Sequence, residues 1–396
     1  MKITFIEESS NISGVQSSTI SLAIWLLQKK GIDVEILLPG EGLLMQKCLQ
    51  FNLKFKNYNA CFPLSSGKSF LNDKFRIPNI FSWIVNISVI LLNLIKVKNL
   101  LARTKPDIII TKGLYSHIYS GLASRILGIK CICHLQDLIT PRYNGILISI
   151  FNKILDLNSA FIICDGETIF DNLTKSLKLR SSIILNGINF YDYRRSDNLG
   201  LKYREKLKIP KNAYVIGNLS RITPWKGQLE ILLPFIQYSK QNPNAYLLIA
   251  GSPLLDKSDY LRSINKMVVK NNISKKVIMP GYENDIKSFF SCIDVYIQPS
   301  ISKDTSPISL IHSFAAGIPS IISRINSLKE VKQMVPQIEQ FEIGTDHMLI
   351  KLFKKFEDIN LRRQIGELNR LNGYKCFDIS IHGESFLKKI QEITQN

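Results

Sequence analysis

The sequence predicts an α/β protein in which two doubly wound, Rossmann-like parallel sheets face each other across a cleft. Short β-branched apolar runs alternate with segments of helical periodicity in both halves, which favours parallel strands covered by helices. A polar, basic turn interrupts this alternation near the middle. The length of 396 residues also exceeds what one ordinary core holds.

In the first half, short apolar runs predict strands, and the helical patterns between them are closed by glycines such as Gly31 and Gly128. The predicted strands are Lys2–Ile6, Val34–Leu38, Asp107–Thr111, Lys130–His134, Ala160–Cys164 and Ser182–Leu185. The predicted helices are Ile20–Gln28, Ser116–Leu127 and Glu167–Ser176.

The second half repeats this pattern after the turn signal Asn186-Gly187 and the basic stretch that follows it. Its predicted strands are Tyr214–Leu219, Ala245–Ala250, Val277–Met279, Val295–Gln298 and Ser320–Ser323, and its predicted helices are 227–240, 258–271, 284–292 and 307–315. We therefore predict domains at 1–190 and 191–375, with a C-terminal helix over 376–396 that packs back on the first domain.

The amino-acid composition limits the kinds of ligand that the chain is expected to bind. A net charge of +19 favours anionic partners, and because no nucleic-acid-binding motif accompanies it, a phosphorylated substrate or an anionic membrane is favoured. The seven cysteines are irregularly spaced and the five histidines are sparse, so we predict no metal site and a reducing cytoplasm. The N-terminal run is predicted to be a strand and not a signal peptide.

The apolar stretch Phe81–Ile95 allows two interpretations. At about fifteen residues it falls short of a bilayer span, which needs about twenty. It is either a buried helix of the first domain or a helix lying at a membrane interface, with the basic flank that begins at Lys96.

The segment Ser220–Gly227 is the most informative for chemistry. Arg221 and Lys226 follow a predicted strand, and Lys226 falls at the start of a helical pattern. Two cations beside a helix N-terminus are suited to stabilising a diphosphate leaving group. Ordinary solvated surface charges are the alternative.

A second element lies about eighty residues further on. Ser306 and Pro307 are predicted to be the N-cap and first residue of a helix, so that the backbone N–H groups of Ile308 and Ser309 face the cleft and can bind phosphate. An ordinary capped helix is the alternative for this element.

Together these segments resemble the family 4 glycosyltransferases, whose two-domain fold is called GT-B. Further segments match the family's landmarks in order and spacing over nearly the whole chain. They are Ser13-Gly-Val-Gln, Pro106-Asp-Ile-Ile-Ile, Cys133-His-Leu-Gln-Asp, Ile184-Leu-Asn-Gly-Ile-Asn, Ser220-Arg with Trp225-Lys-Gly, Gly281-Tyr-Glu-Asn-Asp-Ile and Ile293-Asp-Val-Tyr-Ile-Gln-Pro-Ser.

The family's donor motif is Glu, seven residues, then Glu. Here Asp304 takes the first place and His312 the second. Asp304 is a mild change. A neutral imidazole offers one donor and one acceptor, so His312 cannot reproduce a carboxylate that accepts hydrogen bonds from both ribose hydroxyls. A residue packed in the helix is the alternative for His312.

The resemblance implies a retaining, metal-independent sugar transfer in which the leaving phosphate takes the acceptor's proton. Arg221, Lys226 and Asp304 would act at the donor, and His134 would contact the transferred sugar, a core histidine being its alternative. Gly14, Ser306, Ile308, Ser309 and His312 would bind the donor. The first domain would bind the acceptor and the second the nucleotide sugar.

The resemblance also sets expectations for partners and location. A nucleotide diphosphate sugar is the donor substrate, with no separate cofactor, and the acceptor is a carbohydrate or a lipid-linked glycan. The expected setting is polysaccharide assembly in the cytoplasm or at the inner face of an anionic membrane. A catalytically silent binding subunit and a nucleotide-sugar epimerase on the same fold are the alternatives.

Overall fold

Parallel β-sheets built from the alternating apolar runs organise the chain. The computed structural model describes residues 1–64, 69–70, 75–76, 80–137, 146–253, 258–302 and 304–395. The chain divides into a first unit, Met1–Asn186 with His382–Asn396, and a second unit, Gly187–Ile381.

In the described part of the first unit, seven strands pair in parallel in the order β3-β2-β1-β6-β7-β8-β9, and β4 and β5 form a separate antiparallel pair. The strands are β1 (Lys2–Ile6), β2 (Asp33–Leu38), β3 (Lys54–Asn57), β4 (Ser69–Phe70), β5 (Phe75–Arg76), β6 (Ile108–Lys112), β7 (Lys130–Leu135), β8 (Phe161–Cys164) and β9 (Ser181–Ile183). The helices are α1 (Gly14–Leu27), α2 (Leu43–Gln50), α3 (Ile80–Thr104), α4 (Leu114–Leu127), α5 (Ile146–Asn158), α6 (Glu167–Asp171) and α7 (Lys175–Lys178).

The second unit has six described parallel strands in the order β12-β11-β10-β13-β14-β15. They are β10 (Tyr214–Leu219), β11 (Ala245–Ala250), β12 (Val277–Gly281), β13 (Val295–Gln298), β14 (Ser320–Ser323) and β15 (Glu339–Phe341). The helices are α8 (Asp197–Lys206), α9 (Gln228–Gln241), α10 (Ser258–Lys270), α11 (Ile286–Cys292), α12 (Ile308–Ala315), α13 (Lys329–Met334), α14 (Asp346–Lys355) and α15 (Ile359–Phe377), and α16 (Ile379–Gln395) ends the chain.

Both sheets confirm the predicted fold class, since every pairing within them is parallel and helices connect the strands. The strand order reverses beside β1 in the first sheet and beside β10 in the second, as in doubly wound folds. The crevice at such a reversal, outside the carboxyl ends of the strands, is where this architecture binds ligands.

Apolar side chains from the strands fill the core of each unit. The first unit buries Ile109, Cys133 and Ile162 together with Val97 and Leu101 of α3. In the second unit, Ile216, Leu247, Val295 and Ile321 pack against Phe235 of α9. Because strands of a parallel sheet are covered on both faces, these near-continuous apolar runs are expected.

The apolar stretch that began at Phe81 in the sequence belongs to the 25-residue helix α3. Val97 and Leu101 are fully buried, whereas Phe81 and Ile84 are exposed. The interpretation of this stretch as a simple buried helix is therefore wrong, because one of its faces lies on the surface of the unit.

Candidate active site

The candidate site lies at the strand-order reversal of the second sheet. β10 lies between β11 and β13, and the loops that follow β10 and β13 leave the sheet side by side. Ile301, in the loop after β13, donates its backbone N–H to the carbonyl of Trp225, in the loop after β10, at 2.8 Å. The two segments singled out in the sequence therefore meet in the fold.

The loop after β10 forms a short 3-10 turn, Pro224–Lys226, before α9 begins. Gly227 links the turn to the helix with φ of 72°, in the left-handed region that favours glycine. A Cβ atom added at Gly227 would lie 1.9 Å from the carbonyl oxygen of Pro299. The close approach of the two loops therefore requires glycine at this position.

Lys226 and Asp304 form a buried ion pair across the two loops. The Nζ atom of Lys226 donates to Oδ1 of Asp304 at 2.7 Å, and the two side chains are 10% and 5% exposed. Burial lowers the pKa of Lys226 and the nearby charge of Arg221 lowers it further, while Asp304 opposes the shift. The pairing therefore offsets much of the cost of holding a charge away from water.

Asp304 is held from the other side by a polar network that starts at the end of β13. Gln298 donates Nε2 to Oδ2 of Asp304 at 2.6 Å, and the hydroxyl of Ser300 donates to the same oxygen. The hydroxyl of Tyr296 donates to Oε1 of Gln298, and the hydroxyls of Tyr296 and Ser309 are hydrogen-bonded to each other at 2.9 Å. The network thus joins Asp304 to the start of α12.

Sequence reasoning missed Tyr296, Gln298 and Ser300 as members of the site. Their signal was present, because a polar Gln at the end of the apolar strand β13 must find partners once it is buried. What the sequence could not show is that those partners are Asp304 and Ser309.

Arg221 lies at the surface of the same loop. Its guanidinium carbon is 5.4 Å from the centroid of the Trp225 ring, and Nζ of Lys226 is 4.4 Å from the same centroid. Both cations therefore lie near the same indole ring, and this interaction holds the two positive charges close to each other. Arg221 is exposed, so its charge is available to an anionic ligand.

The start of α12 differs by one residue from the prediction. Pro307 is the N-cap residue and Ile308 the first helical residue, because Leu310 and Ile311 donate the first intrahelical hydrogen bonds to the Pro307 carbonyl. The prediction of Ser306 as the N-cap is therefore wrong. Ser306 has φ of 39° and is buried, and it turns the chain into the helix.

The backbone N–H groups of Ile308 and Ser309 precede the first intrahelical hydrogen bonds, so they have no partner within the helix. Ile308 is buried and Ser309 is half-buried. The carboxyl group of Asp304 and the ammonium of Lys226 connect to this helix start through Gln298 and Tyr296. The site therefore combines two cations with a helix N-terminus, which is a suitable environment for a phosphate.

His312 faces aromatic rings within the second unit. Its ring centroid is 4.1 Å from that of Tyr193 in an edge-to-face arrangement and 5.8 Å from that of Phe290. The residue is 7% exposed, and burial lowers its pKa to about 3. The imidazole is therefore neutral at pH 7, and its predicted contact with a donor ribose remains a prediction.

We expect acid to destabilise the chain partly through His312. Because its folded pKa is about 3, the unfolded chain takes up a proton below about pH 6.5 when the folded chain does not. Its contribution to the free energy of unfolding is complete above about pH 6.5 and is lost toward about pH 3, at up to about 1.4 kcal/mol per pH unit. Denaturant unfolding at about pH 7 and about pH 5 should show a smaller acid loss for His312→Phe than for wild type.

The exposed His347 supplies the matched control for this measurement. His347→Phe should leave the pH-dependent loss as it is in the wild type. An equal loss in His312→Phe and wild type would contradict the buried, neutral state of His312.

The remaining predicted residues lie in the first unit. His134, near the end of β7, is fully buried, and its ring lies edge-to-face with Phe386 of α16 at 5.0 Å. Burial holds its pKa well below the ordinary value, with Lys112 adding to the shift. Neither ring nitrogen has a hydrogen-bond partner within the part of the chain that the structure describes. Gly14 is the exposed first residue of α1.

A set of buried charged groups at strand ends in the first unit was not predicted from the sequence. Glu7 follows β1 and accepts hydrogen bonds from Gln16, at 2.9 Å, and from Thr19. Lys112 ends β6 and is fully buried, which lowers its pKa to about 8 despite the opposing charges of Glu7 and Asp165. Charged residues directly after apolar strands were the signal for this cluster.

A mostly apolar cavity of about 290 Å³ opens at the same edge of the first sheet. Leu114, Leu135 and Phe151 line it together with the polar side chains of His117 and Asp137. Thr111 holds the His117 ring through its Nδ1 atom at 2.7 Å. The cavity therefore suits a ligand that has both an apolar part and hydroxyl groups.

Among the described residues, no three His, Cys, Asp or Glu side chains are grouped as metal ligands.

Comparison with known proteins finds similarity to glycosyltransferases. Residues 201–368 match the model of the glycosyl transferases group 1. The chain is 24% identical over 255 residues to the UDP-Gal:alpha-D-GlcNAc-diphosphoundecaprenol alpha-1,3-galactosyltransferase of Escherichia coli, covering 61% of this chain and 64% of that protein. The match thus spans less than two thirds of that relative's length.

Two further similarities extend over more of the chain. The capsular polysaccharide biosynthesis glycosyltransferase CapM of Staphylococcus aureus is 24% identical over 300 residues, covering 71% of this chain and 76% of CapM. The crystal structure of HepE from Anabaena in complex with UDP and glucose matches with a TM-score of 0.81 at 16% identity, over 99% of both chains.

These findings define the class of protein. The fold is that of the GT-B glycosyltransferases, which confirms the fold class predicted from the sequence. The segment that matches the glycosyl transferases group 1 model, residues 201–368, makes up most of the second unit. The resemblance inferred from the sequence motifs is thereby confirmed.

Proposed function

We propose that the chain transfers a sugar from a nucleotide diphosphate sugar to a hydroxyl group of a glycan acceptor. One observation carries this proposal. Lys226 and Asp304, from the loops after β10 and β13, pair at 2.7 Å at the strand-order reversal of a glycosyl transferases group 1 domain. This is the crevice in which an open α/β sheet binds its ligand.

Uridine diphosphate is the nucleotide that we propose for the donor. The name of the Escherichia coli relative specifies UDP-Gal, and the HepE structure contains UDP and glucose. Arg221, Lys226 and the N–H groups that begin α12 would neutralise the diphosphate. Each preorganised donor of this kind lowers a barrier by about 3 kcal/mol.

The proposed reaction retains the configuration of the anomeric carbon. The bond between that carbon and the diphosphate oxygen breaks, and the acceptor oxygen forms its bond on the same face. The acceptor's proton passes to the departing phosphate, so the products are a glycoside and the nucleoside diphosphate. Because Arg221 and Lys226 supply the positive charge, the proposal assigns this role to the protein and not to a metal ion.

A lipid-linked glycan is the acceptor that we propose, bound in the first unit at the inner face of an anionic membrane. The cavity of about 290 Å³ supports this choice, since its walls are mostly apolar and also carry polar residues, among them His117 and Asp137. The name of the Escherichia coli relative also specifies a diphosphoundecaprenol-linked sugar.

Calorimetric titration of the full chain with UDP, GDP and ADP tests the donor assignment. We expect UDP to bind at least about tenfold more tightly than GDP or ADP, a difference of about 1.4 kcal/mol. UDP should also raise the unfolding temperature, since a ligand that binds the folded state stabilises it. A chelator in the buffer should leave sugar transfer unchanged.

A catalytically silent binding subunit is the second candidate, and the packing of His312 against Tyr193 and Phe290 favours it. It predicts an intact fold that binds none of the three nucleotides. That outcome would contradict the proposed transfer.

A further inference from the structure

Helix α3 carries a continuous apolar face that the fold of the first unit leaves uncovered. Six of its large apolar residues are 48–68% exposed, namely Phe81, Ile84, Ile87, Leu91, Leu92 and Ile95. Five of them follow one another at spacings of three or four residues, and Leu92 lies three residues before Ile95, so all six lie on one side of the helix. The stripe is about 21 Å long, at 1.5 Å per residue.

The opposite face of α3 is fixed in the core. Val89, Val97 and Leu101 are buried, and the last two belong to the same apolar cluster as Ile109 and Cys133 of the sheet. By length and composition Ile84–Thr104 could cross a membrane, but only 22% of that stretch is buried. Since its inner face packs on the sheet, α3 presents its stripe along the surface of the unit.

A second apolar segment extends the stripe. Asn86 and Asn93 of α3 hold the backbone of Leu64 and Cys61 through paired hydrogen bonds of 2.7 to 3.0 Å. Phe62 and Leu64 of this segment are 62% and 47% exposed. The exposed apolar patch therefore consists of two adjacent segments in a fixed arrangement.

Positive charge borders the patch. Helix α3 contains no Asp or Glu, and its last three turns carry Lys96, Lys98 and Arg103. Lys105 follows the helix and is exposed. An apolar face with basic residues and no acidic ones complements an anionic lipid surface, in which apolar side chains enter the acyl boundary and cations meet the headgroups.

The patch adjoins the edge of the sheet at which ligands are expected. Phe62 of the patch lines a small cavity of about 50 Å³ together with Glu8, which follows β1. Glu8 accepts the backbone N–H of Tyr115 at 2.8 Å at the start of α4. A surface bound to this patch would therefore lie beside the carboxyl ends of β1 and β6.

We propose that this patch of α3 with Phe62 and Leu64 lies in the interface of an anionic lipid bilayer. The choice of a bilayer rests on the proposed function, because a lipid-linked acceptor is presented at a membrane. The helix lies parallel to the surface, with its apolar stripe below the headgroups and Lys98 and Arg103 among them.

Vesicle flotation of the full chain tests this inference. The vesicles contain phosphatidylcholine alone or an equimolar mixture with phosphatidylglycerol. We expect the wild type to partition at least about tenfold more strongly to the anionic vesicles, and added salt to weaken that binding. Ile84→Ser/Ile87→Ser/Leu91→Ser should lower the partition coefficient at least about tenfold.

A matched control replaces three exposed apolar residues outside α3. Leu49→Ser/Leu179→Ser/Val269→Ser changes residues that are 58%, 91% and 67% exposed, and it should bind vesicles as the wild type does. A second variant, Lys98→Glu/Arg103→Glu, leaves the apolar stripe intact and should lose the preference for anionic vesicles. Thermal unfolding of all variants shows that they are folded.

Three results would overturn the proposal. The first is a wild type that floats with neither kind of vesicle, and the second is an α3 serine variant that floats as well as its control. The third is a wild-type protein that binds no vesicle and forms a dimer which the serine substitutions dissociate. Transfer to a water-soluble acceptor separates this proposal from the proposed function. If flotation behaves as expected while no donor supports transfer, the proposed function fails and the membrane surface stands.

Discussion

Replacing Arg221 with alanine lowers the rate of sugar transfer at least about a hundredfold and leaves the free energy of unfolding within about 0.5 kcal/mol of the wild type. The guanidinium is exposed and lies against Trp225, so its removal uncovers no buried group. The loss of rate arises because the departing diphosphate loses one of its two fixed cations. Steady-state kinetics with the donor identified by titration, together with denaturant unfolding, measures both quantities.

Lys226→Ala should cause a similar loss of rate but a different loss of stability. Lys226 is 8% exposed and pairs with Asp304, which is 4% exposed. Its removal takes away the cation that neutralises a buried carboxylate, which keeps its hydrogen bonds from Gln298 and Ser300, and breaking a buried pair costs about 3 to 5 kcal/mol. From the sequence alone, little loss of stability is expected for either variant. The burial of the Lys226–Asp304 pair is the reason to expect a larger loss of stability in Lys226→Ala than in Arg221→Ala.

Arg363→Ala provides the control for both variants, because Arg363 is an exposed residue of α15. It should transfer sugar at the wild-type rate. Unchanged turnover in Arg221→Ala would show that this loop does not bind the leaving group.

Gly227→Ala should disable the site through the backbone. The alanine Cβ would lie 1.9 Å from the carbonyl oxygen of Pro299, and the residue would keep φ of 72°. The loop after β10 must then move away from the loop after β13. We expect the free energy of unfolding to fall by about 2 to 4 kcal/mol and donor binding to be lost.

Gly344→Ala separates the clash from the cost of the backbone conformation. Gly344 has φ of 83°, but a Cβ atom there would meet nothing within 4 Å. Its replacement should cost about 1 kcal/mol and leave nucleotide binding unchanged. Equal losses in the two variants, or normal donor binding by Gly227→Ala, would contradict the required approach of the two loops.

The second unit of the fold was predictable from the sequence because its signals are local. Tyr214–Leu219 and Val295–Gln298 were predicted as strands and are strands with those bounds. Each strand is followed by a loop that carries charged residues, Arg221 and Lys226 in the first loop and Asp304 in the second. Doubly wound topology then brings the two segments to the same edge of the sheet.

The pairing within that site was not accessible, since it depends on which side chains meet across the loops. No spacing rule relates Gln298 to Asp304 or Tyr296 to Ser309, although both contacts are formed in the fold. The N-cap of α12 was wrong for a similar reason. Ser306 and Pro307 both suit a helix start, and the left-handed φ of Ser306 decides between them.

The first unit shows the limits of local patterns more strongly. The apolar run ended at Ile95 in the sequence, but α3 continues to Thr104 because Val97 and Leu101 keep the spacing of its buried face. His134 packs against Phe386, which is 252 residues further along the chain, so no local pattern could show that contact.

The structure of the full chain with bound UDP tests the central claim most directly. We expect the β-phosphate to lie within hydrogen-bonding distance, about 3 Å, of the Arg221 guanidinium, Nζ of Lys226 and the backbone N–H groups of Ile308 and Ser309. A diphosphate bound away from these groups, or one that contacts neither Arg221 nor Lys226, would contradict the proposed phosphate site.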